Sequence, residues 1–263
     1  MSEPLPLSLV ISTRNAGDVL AGCIESCLEF VREIVIVDME SQDDTLAVAA
    51  RYSAKIVQVP HAGWAEPGRQ SGLDAATQGW ILVLDADERA SPGLGGFVRD
   101  VIAGDDVDGV QLPRRNVQFG RFERNSGIWP DWQLRLFRKE RVSWPAVYTH
   151  TGAVVTGKVV RAPEREENAI MHESFRSIRE WIVAVNRYTD HEADRLTRQG
   201  QRATLRRLLT VPAWHFALHY FRRHGWRSGR YGLTIALLAL VYRLLGELKL
   251  WERQTQGGDR AWP

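Results

Sequence analysis

Trp80-Ile81-Leu82-Val83-Leu84-Asp85-Ala86-Asp87-Glu88 runs through five apolar residues and ends in acids. An apolar run this short, with no polar alternation, reads as a strand buried on both faces, the kind that belongs to a parallel sheet covered by helices. Working outward, residues 7–12, 34–37 and 55–59 read as three more strands. Helical spacing at residues 19–30, 43–52 and 67–77 alternates with them. The βαβαβαβ order implies an α/β fold in which ligands sit at the carboxyl ends of the strands. Thr13 and Asn15 follow the first strand, Asp38 the second, and Asp85, Asp87 and Glu88 the fourth, so all are expected on one edge. No glycine fingerprint follows the first strand, which disfavours a dinucleotide site of the usual kind.

Two carboxylates one residue apart at a strand end suit a hard divalent cation that keeps waters and phosphate oxygens as its other ligands. The plainer alternative is a solvated acidic turn. Beyond residue 108 the regularity weakens. Short strands at residues 110–112, 133–137 and 169–171 alternate with aromatic and glycine-bearing loops, and helices are expected over 177–197 and, one to three of them, over 204–251.

The 263 residues are 44% hydrophobic and 25% charged, which excludes both disorder and a polytopic membrane protein. The length suits one catalytic unit with an appendage. Cys23 and Cys27 have no Cys or His pair nearby to complete a zinc site and read as core thiols. The first residues lack a basic stretch followed by an apolar one, so a cytosolic start is the expectation. The net charge of +2 conceals an asymmetry: 7 basic and 15 acidic side chains in residues 1–100, 16 and 14 in 101–200, 11 and 3 in 201–263.

The segments Ile11-Ser-Thr13-Arg-Asn15, Val35-Ile-Val37-Asp38-Met-Glu-Ser41-Gln-Asp43-Asp-Thr45, residues 69–76 and Asp85-Ala-Asp87-Glu88 together resemble the nucleotide-sugar half of the family-2 glycosyltransferases of the GT-A fold. Farther on, Trp129-Pro-Asp131-Trp-Gln133-Leu-Arg135-Leu-Phe137, His150 and residues 172–188 are similar to the subgroup that adds glucose to the lipopolysaccharide core. The resemblance implies a Rossmann-like, mostly parallel sheet flanked by helices, with a helical C-terminal appendage. Residues 1–200 would form the GT-A domain, 1–95 its nucleotide-sugar half and 96–200 its acceptor half, with 201–263 a basic amphipathic segment. It implies that Thr13, Asn15 and Asp38 line a uracil pocket, that Arg69 lies near the phosphates, that Asp85 holds ribose or a metal-bound water, and that Asp87 binds Mg²⁺ or Mn²⁺. Two departures stand out: Gln70 where the family often has Asn, and Met39-Glu40 in place of Asp-Gly.

Inverting transfer needs a base opposite the leaving nucleotide. Asp131 is the candidate, flanked by Trp129, Pro130 and Trp132, whose aromatic faces suit sugar stacking and whose desolvation is expected to raise the carboxyl pKa. A loop Asp capping the next strand is the alternative. Gln133 and Arg135 share a strand face and support the acceptor or diphosphate, or Arg135 pairs with an acid. His172 and His150 are candidate further metal ligands, against the alternative of hydrogen-bonded structural histidines.

Eight arginines and no acid lie between Arg202 and Arg243, interleaved with aromatics and an apolar stretch over 233–242. That stretch is about half the roughly 20 residues a spanning helix needs, so an interfacial helix against an anionic membrane is the expectation. Packing against the domain, a dimer seam and, less well, nucleic acid are the alternatives. The composite expectation is an inverting, metal-dependent hexosyltransferase, peripheral on the inner face of the cytoplasmic membrane. It would move a hexose, glucose by the resemblance, from a UDP-sugar to a lipopolysaccharide core or related cell-envelope glycan as a lipid-linked acceptor, without nucleic acid. A polyprenyl-phosphate acceptor, a non-catalytic nucleotide-sugar scaffold and an Asp-based phosphohydrolase are the competing readings. The last is disfavoured by Ser12 and Thr13 standing where its nucleophilic Asp belongs.

Overall fold

The computed structural model describes residues 3–61, 66–145 and 152–256. His150 lies outside them. The chain forms two compact units, one from residues 1–116 and 130–174, the other from 117–129 and 175–263. Position 200, the expected boundary, falls inside the second unit.

In the first unit, β1 (Leu5–Thr13), α1 (Leu20–Glu25), β2 (Val31–Asp38), α2 (Thr45–Arg51), β3 (Lys55–Gln58), α3 (Glu66–Ala75) and β4 (Trp80–Asp85) follow the expected alternation. Strands β3, β2, β1 and β4 lie side by side in that order, all parallel. The β4 run is buried on both faces: Trp80, Leu82 and Leu84 join one apolar cluster with α1, α2 and α4 (Leu94–Gly104), while Ile81 and Val83 join another with Leu73 and Ala76 from the α3 side. Alternation of side chains along a strand makes one sequence serve two cores. Helix α3 approaches closely because Gly72 faces the sheet. A Cβ there would lie 2.6 Å from Val10 Cγ1 and 2.7 Å from Val37 Cγ2.

Helix α1 is much shorter than the 19–30 expected and breaks into turns after Glu25, so Cys23 and Cys27 do not share one helix face. Both are nonetheless buried free thiols, and burial pushes the Cys27 thiol up to about 12. Past β4 the sheet becomes mostly antiparallel. The short β5 (Glu88–Ala90) leads through α4 to β6 (Gly109–Gln118), which pairs antiparallel with β8 (Asp131–Arg138). A two-residue strand, β7 (Arg121–Phe122), turns back on the end of β6 within the second unit. The remaining strands are β9 (Val142–Ser143), β10 (Val154–Val155), β11 (Val159–Arg161) and β12 (Ile170–Phe175), the last lying antiparallel to β5.

The second unit is built on α5 (Ile178–Arg198), α6 (Leu205–Ala217) and α7 (Gly229–Gln256). Ser177 caps α5 by accepting from the Glu180 N–H, and Thr204 caps α6 by accepting from the Arg207 N–H. Ion pairs join the helices: Arg207 to Glu247 at 2.6 Å, Arg243 to Glu192 at 3.1 Å and Arg253 to Asp194 at 3.1 Å. The segment 117–129 is held by α7 and by the connection between α6 and α7. Tyr231 Oη donates to the Gln118 and Arg121 carbonyls, the Ser126 N–H donates to the Arg223 carbonyl, and His219 Nδ1 lies 2.6 Å from the Ser126 carbonyl. Among the described residues, no helix is long and apolar enough to cross a membrane.

Candidate functional site

Strand register gathers the acids. Ser12 pairs with Asp85 across β1 and β4, and Thr13 with Asp38 across β1 and β2, so all four stand at the carboxyl edge of the parallel half. The antiparallel half adds to that set, since Arg114 lies opposite Asp131 on β6 and β8, and His172 opposite Glu88 on β12 and β5. Hydrogen bonds complete the arrangement.

Arginines and carboxylates alternate along one chain of contacts. Arg69 Nη2 meets Asp85 at 2.5 Å, Asp85 meets Arg135 at 2.8 Å, Arg135 reaches Glu88 at 3.3 Å, Glu88 meets Arg114 at 2.9 Å, and Arg114 meets Asp131 at 2.7 Å. Glu88 has no solvent exposure and also accepts the Asp85 N–H, so it pins the acidic turn to the sheet. Burial acts to raise the Asp85 pKa, but Arg135 and Arg69 overcome it and hold the carboxyl far below its ordinary value. Arg135 is thus paired with acids, and Arg69, besides its ion pair, lies 4.7 Å from the Trp144 ring centroid.

Asp87 is different. No lysine or arginine lies within ion-pair distance among the described residues, its side chain is 50% exposed, and His172 Nε2 stands 3.4 Å from Oδ2. Among the described residues, no three His, Cys, Asp or Glu side chains form a ready-made metal cage. A carboxylate facing an imidazole is instead a partial donor set of the kind a divalent cation completes with substrate phosphates and waters.

Asp131 accepts from Arg114 Nε and Nη2, from Asn116 Nδ2 at 3.0 Å and, at its other oxygen, from Gln133 Nε2 at 2.8 Å. This corrects one expectation. Desolvation does push its pKa upward, but Arg114 and the amide donors outweigh it, and the net shift is downward. The carboxylate is ionised and oriented rather than raised in basicity.

At the proposed uracil pocket, Asp38 is fully buried. Its Oδ2 accepts from the Ser41 N–H at 3.2 Å, while its Oδ1, Thr13 Oγ1 and Ser12 Oγ have no partner among the described residues. Buried polar atoms without partners are costly, so three at one edge mark where a polar ligand fits. Asn15 instead closes the adjoining loop, accepting from the Gln42 N–H at 2.8 Å. Glu40 stands at φ 57°, the left-handed region that favours glycine, which accounts physically for the family's usual Gly there. Trp132 carries the Arg161 guanidinium 5.3 Å from its ring centroid. Trp129, in the second unit, is buried and packs edge-on against Phe122 at 5.6 Å.

Sequence reasoning placed Glu88 at the site edge without a separate role, and did not single out Arg114 or Asn116. The signal was present in the alternation Leu112, Arg114, Asn116 along one strand face. Pro113 masked it, because a proline usually ends a strand reading, yet β6 continues through it opposite Trp132.

The family model for glycosyl transferase family 2 matches residues 8–160. The lipopolysaccharide core biosynthesis glycosyltransferase LpsC of Rhizobium meliloti (strain 1021) is 30% identical, over 96% of this chain and 94% of its own length. An uncharacterized glycosyltransferase of Rickettsia felis (strain ATCC VR-1525 / URRWXCal2) is 28% identical, over 94% of this chain and 89% of its own. Among solved structures, glucosyl-3-phosphoglycerate synthase from Mycobacterium tuberculosis aligns at 22% identity with a TM-score of 0.36, over 41% of this chain and 44% of that one. The strand order, the acidic turn after β4, the family model and the relative from Rhizobium meliloti agree, and the chain belongs to the family-2 glycosyltransferases, with their α/β GT-A architecture.

Proposed function

We propose that this glycosyltransferase inverts the anomeric centre, depends on Mg²⁺ or Mn²⁺, and moves glucose from UDP-glucose to a lipopolysaccharide core or a related lipid-linked glycan. The observation that carries the reading is the division of labour within the acidic turn: Asp85 is neutralised by two arginines, while Asp87 remains open beside His172. Asp38 Oδ1 and Thr13 Oγ1, without partners among the described residues, offer acceptors to a base with N–H donors. Asp87 and His172 would hold the cation, which when bound offsets the negative charge of the departing diphosphate. Asp131 takes the proton of the acceptor hydroxyl as that oxygen bonds to the anomeric carbon and the bond to UDP breaks on the opposite face. Arg114, Asn116 and Gln133 keep its carboxylate aimed.

The test is thermal stabilisation across a panel of nucleotide sugars with and without Mn²⁺. At a hundredfold excess over Kd, a native-state ligand adds about 2.7 kcal/mol. UDP-glucose with Mn²⁺ should raise the melting point of the wild type, and Asp87→Ala should abolish the metal-dependent part. Equal stabilisation of the variant would remove Asp87 from the site.

A lipid-linked acceptor calls for a membrane-facing surface, and the second unit offers its chemistry. Phe221 and Trp226 are 60% and 50% exposed at the turn between α6 and α7, with Arg222, Arg223, Arg227 and Arg230 exposed around them. Leu233, Leu237 and Val241 continue as an exposed stripe at helical spacing along α7. We assign this surface to the anionic inner face of the cytoplasmic membrane. Vesicles containing phosphatidylglycerol should sediment with the protein and release it at high salt. Equal binding to neutral vesicles, or none to either, would refute the assignment.

A further inference from the structure

Asn116 is buried between two groups with separate tasks. Its Nδ2 lies 3.0 Å from Asp131 Oδ2, and its Oδ1 lies 2.8 Å from His172 Nδ1. An ionised carboxylate only accepts hydrogen bonds, so the amide must turn its NH₂ to Asp131 and therefore its carbonyl to the imidazole. A carbonyl cannot donate, so Nδ1 carries the proton. In the neutral ring Nε2 then holds the lone pair, and it is Nε2 that faces Asp87 across 3.4 Å.

Ser174 Oγ, 3.0 Å from Nδ1 and 3.4 Å from the amide oxygen, does not reverse this assignment. Were its hydroxyl to donate to a bare Nδ1, that nitrogen and Asn116 Oδ1 would meet as two acceptors at 2.8 Å. A lone pair aimed at a carboxylate is a repulsive pairing that a cation between them would turn into ligation, and the hydrogen bond at the far nitrogen is what fixes a ligating imidazole.

We propose that Asn116 is a positioning residue that sets the His172 tautomer and the Asp131 orientation with one amide, tying the cation side of the site to the base. The mechanistic meaning rests on the roles given to Asp131, Asp87 and His172 under the proposed function. The tautomer does not. Because each end of the amide dictates the other, a change at either end is felt across the site.

The experiment is a two-bond ¹H–¹⁵N spectrum of histidine-labelled protein without metal, recorded at rising pH until the His172 ring nitrogens give the pattern of a neutral imidazole. The His172 signal is identified by its loss in His172→Gln. The wild type should show Nδ1 protonated and Nε2 bare. Asn116→Ala should release the ring to a mixture of tautomers. Nε2–H as the wild-type form would overturn the proposal, and this reading needs no variant to fold.

A second readout is Mn²⁺ affinity in the presence of UDP, measured by electron paramagnetic resonance. Loss of an outer hydrogen bond of this kind weakens metal binding about 10–100-fold. Asn116→Ala should fall in that range, and wild-type affinity in a folded variant with an unchanged tautomer would also overturn the proposal. If His172→Gln binds Mn²⁺ as well as the wild type while the Nδ1–H tautomer holds, the ligand role of His172 fails and the control of tautomer by Asn116 is supported.

Discussion

Asp131→Asn should reduce transfer from UDP-glucose by roughly 10²–10⁴-fold, the range a positioned general base contributes, and leave UDP affinity without metal unchanged. The substitution keeps the shape of the side chain but removes the group that takes the acceptor proton. Arg114 retains its partner Glu88 at 2.9 Å, so the fold should survive. Initial rates and calorimetric titration of UDP separate the two effects, and full activity in the variant would remove Asp131 from the mechanism. The wild type carries a matching pH signature. Burial pushes the Asp131 pKa upward, but Arg114, Asn116 and Gln133 bring it below the ordinary carboxylate value, so no acidic limb from this group belongs near neutrality. A limb at about pH 6–7, of the kind a tuned carboxylate base gives, would mean that another group supplies the base.

Glu88→Ala should strongly destabilise the first unit. Glu88 is completely buried and is shared by Arg114 at 2.9 Å and Arg135 at 3.3 Å, and Arg135 is itself 5% exposed. Without Glu88, the three arginines Arg69, Arg135 and Arg114 share only the carboxylates of Asp85 and Asp131, and one buried charge left in excess costs about 3–5 kcal/mol. For a unit of this size that lowers the melting point on the order of 10 °C. Glu88→Gln, which keeps an acceptor, should lose less. A melting curve within a degree or two of wild type for Glu88→Ala would show that the arginines are held by something else. Acid acts on the same network. Asp85 and Asp131 have folded pKa values below the unfolded value of about 3.9. Their contribution is therefore present above that value and is lost as pH falls through the folded ones.

The parallel half of the fold was legible because each of its strands is buried on two faces and reads as an unbroken apolar run, as residues 80–84 show. The acids at strand ends followed from topology alone. What could not be read was which acid is neutralised. Asp85 and Asp87 are alike in sequence, and their difference comes from Arg69 and Arg135, which are 16 and 50 residues away along the chain. Arg114 and Asn116 escaped notice because a proline interrupts their strand, and the basicity of Asp131 was misjudged because its aromatic neighbours in sequence are visible while Arg114 across the sheet is not. Helix α1 was overestimated because apolar spacing continues through Cys27 and Leu28 into residues that form turns.

The loop 117–129 has a further consequence for biosynthesis. Its backbone is held by Tyr231, Arg223 and His219, which leave the ribosome roughly a hundred residues later, a delay of about 5–20 s at ordinary elongation rates. Until then the nascent chain carries this segment without its eventual partners. A clone ending at residue 200 would keep it that way for good, so the C-terminal helices cannot be trimmed off as a detachable tail.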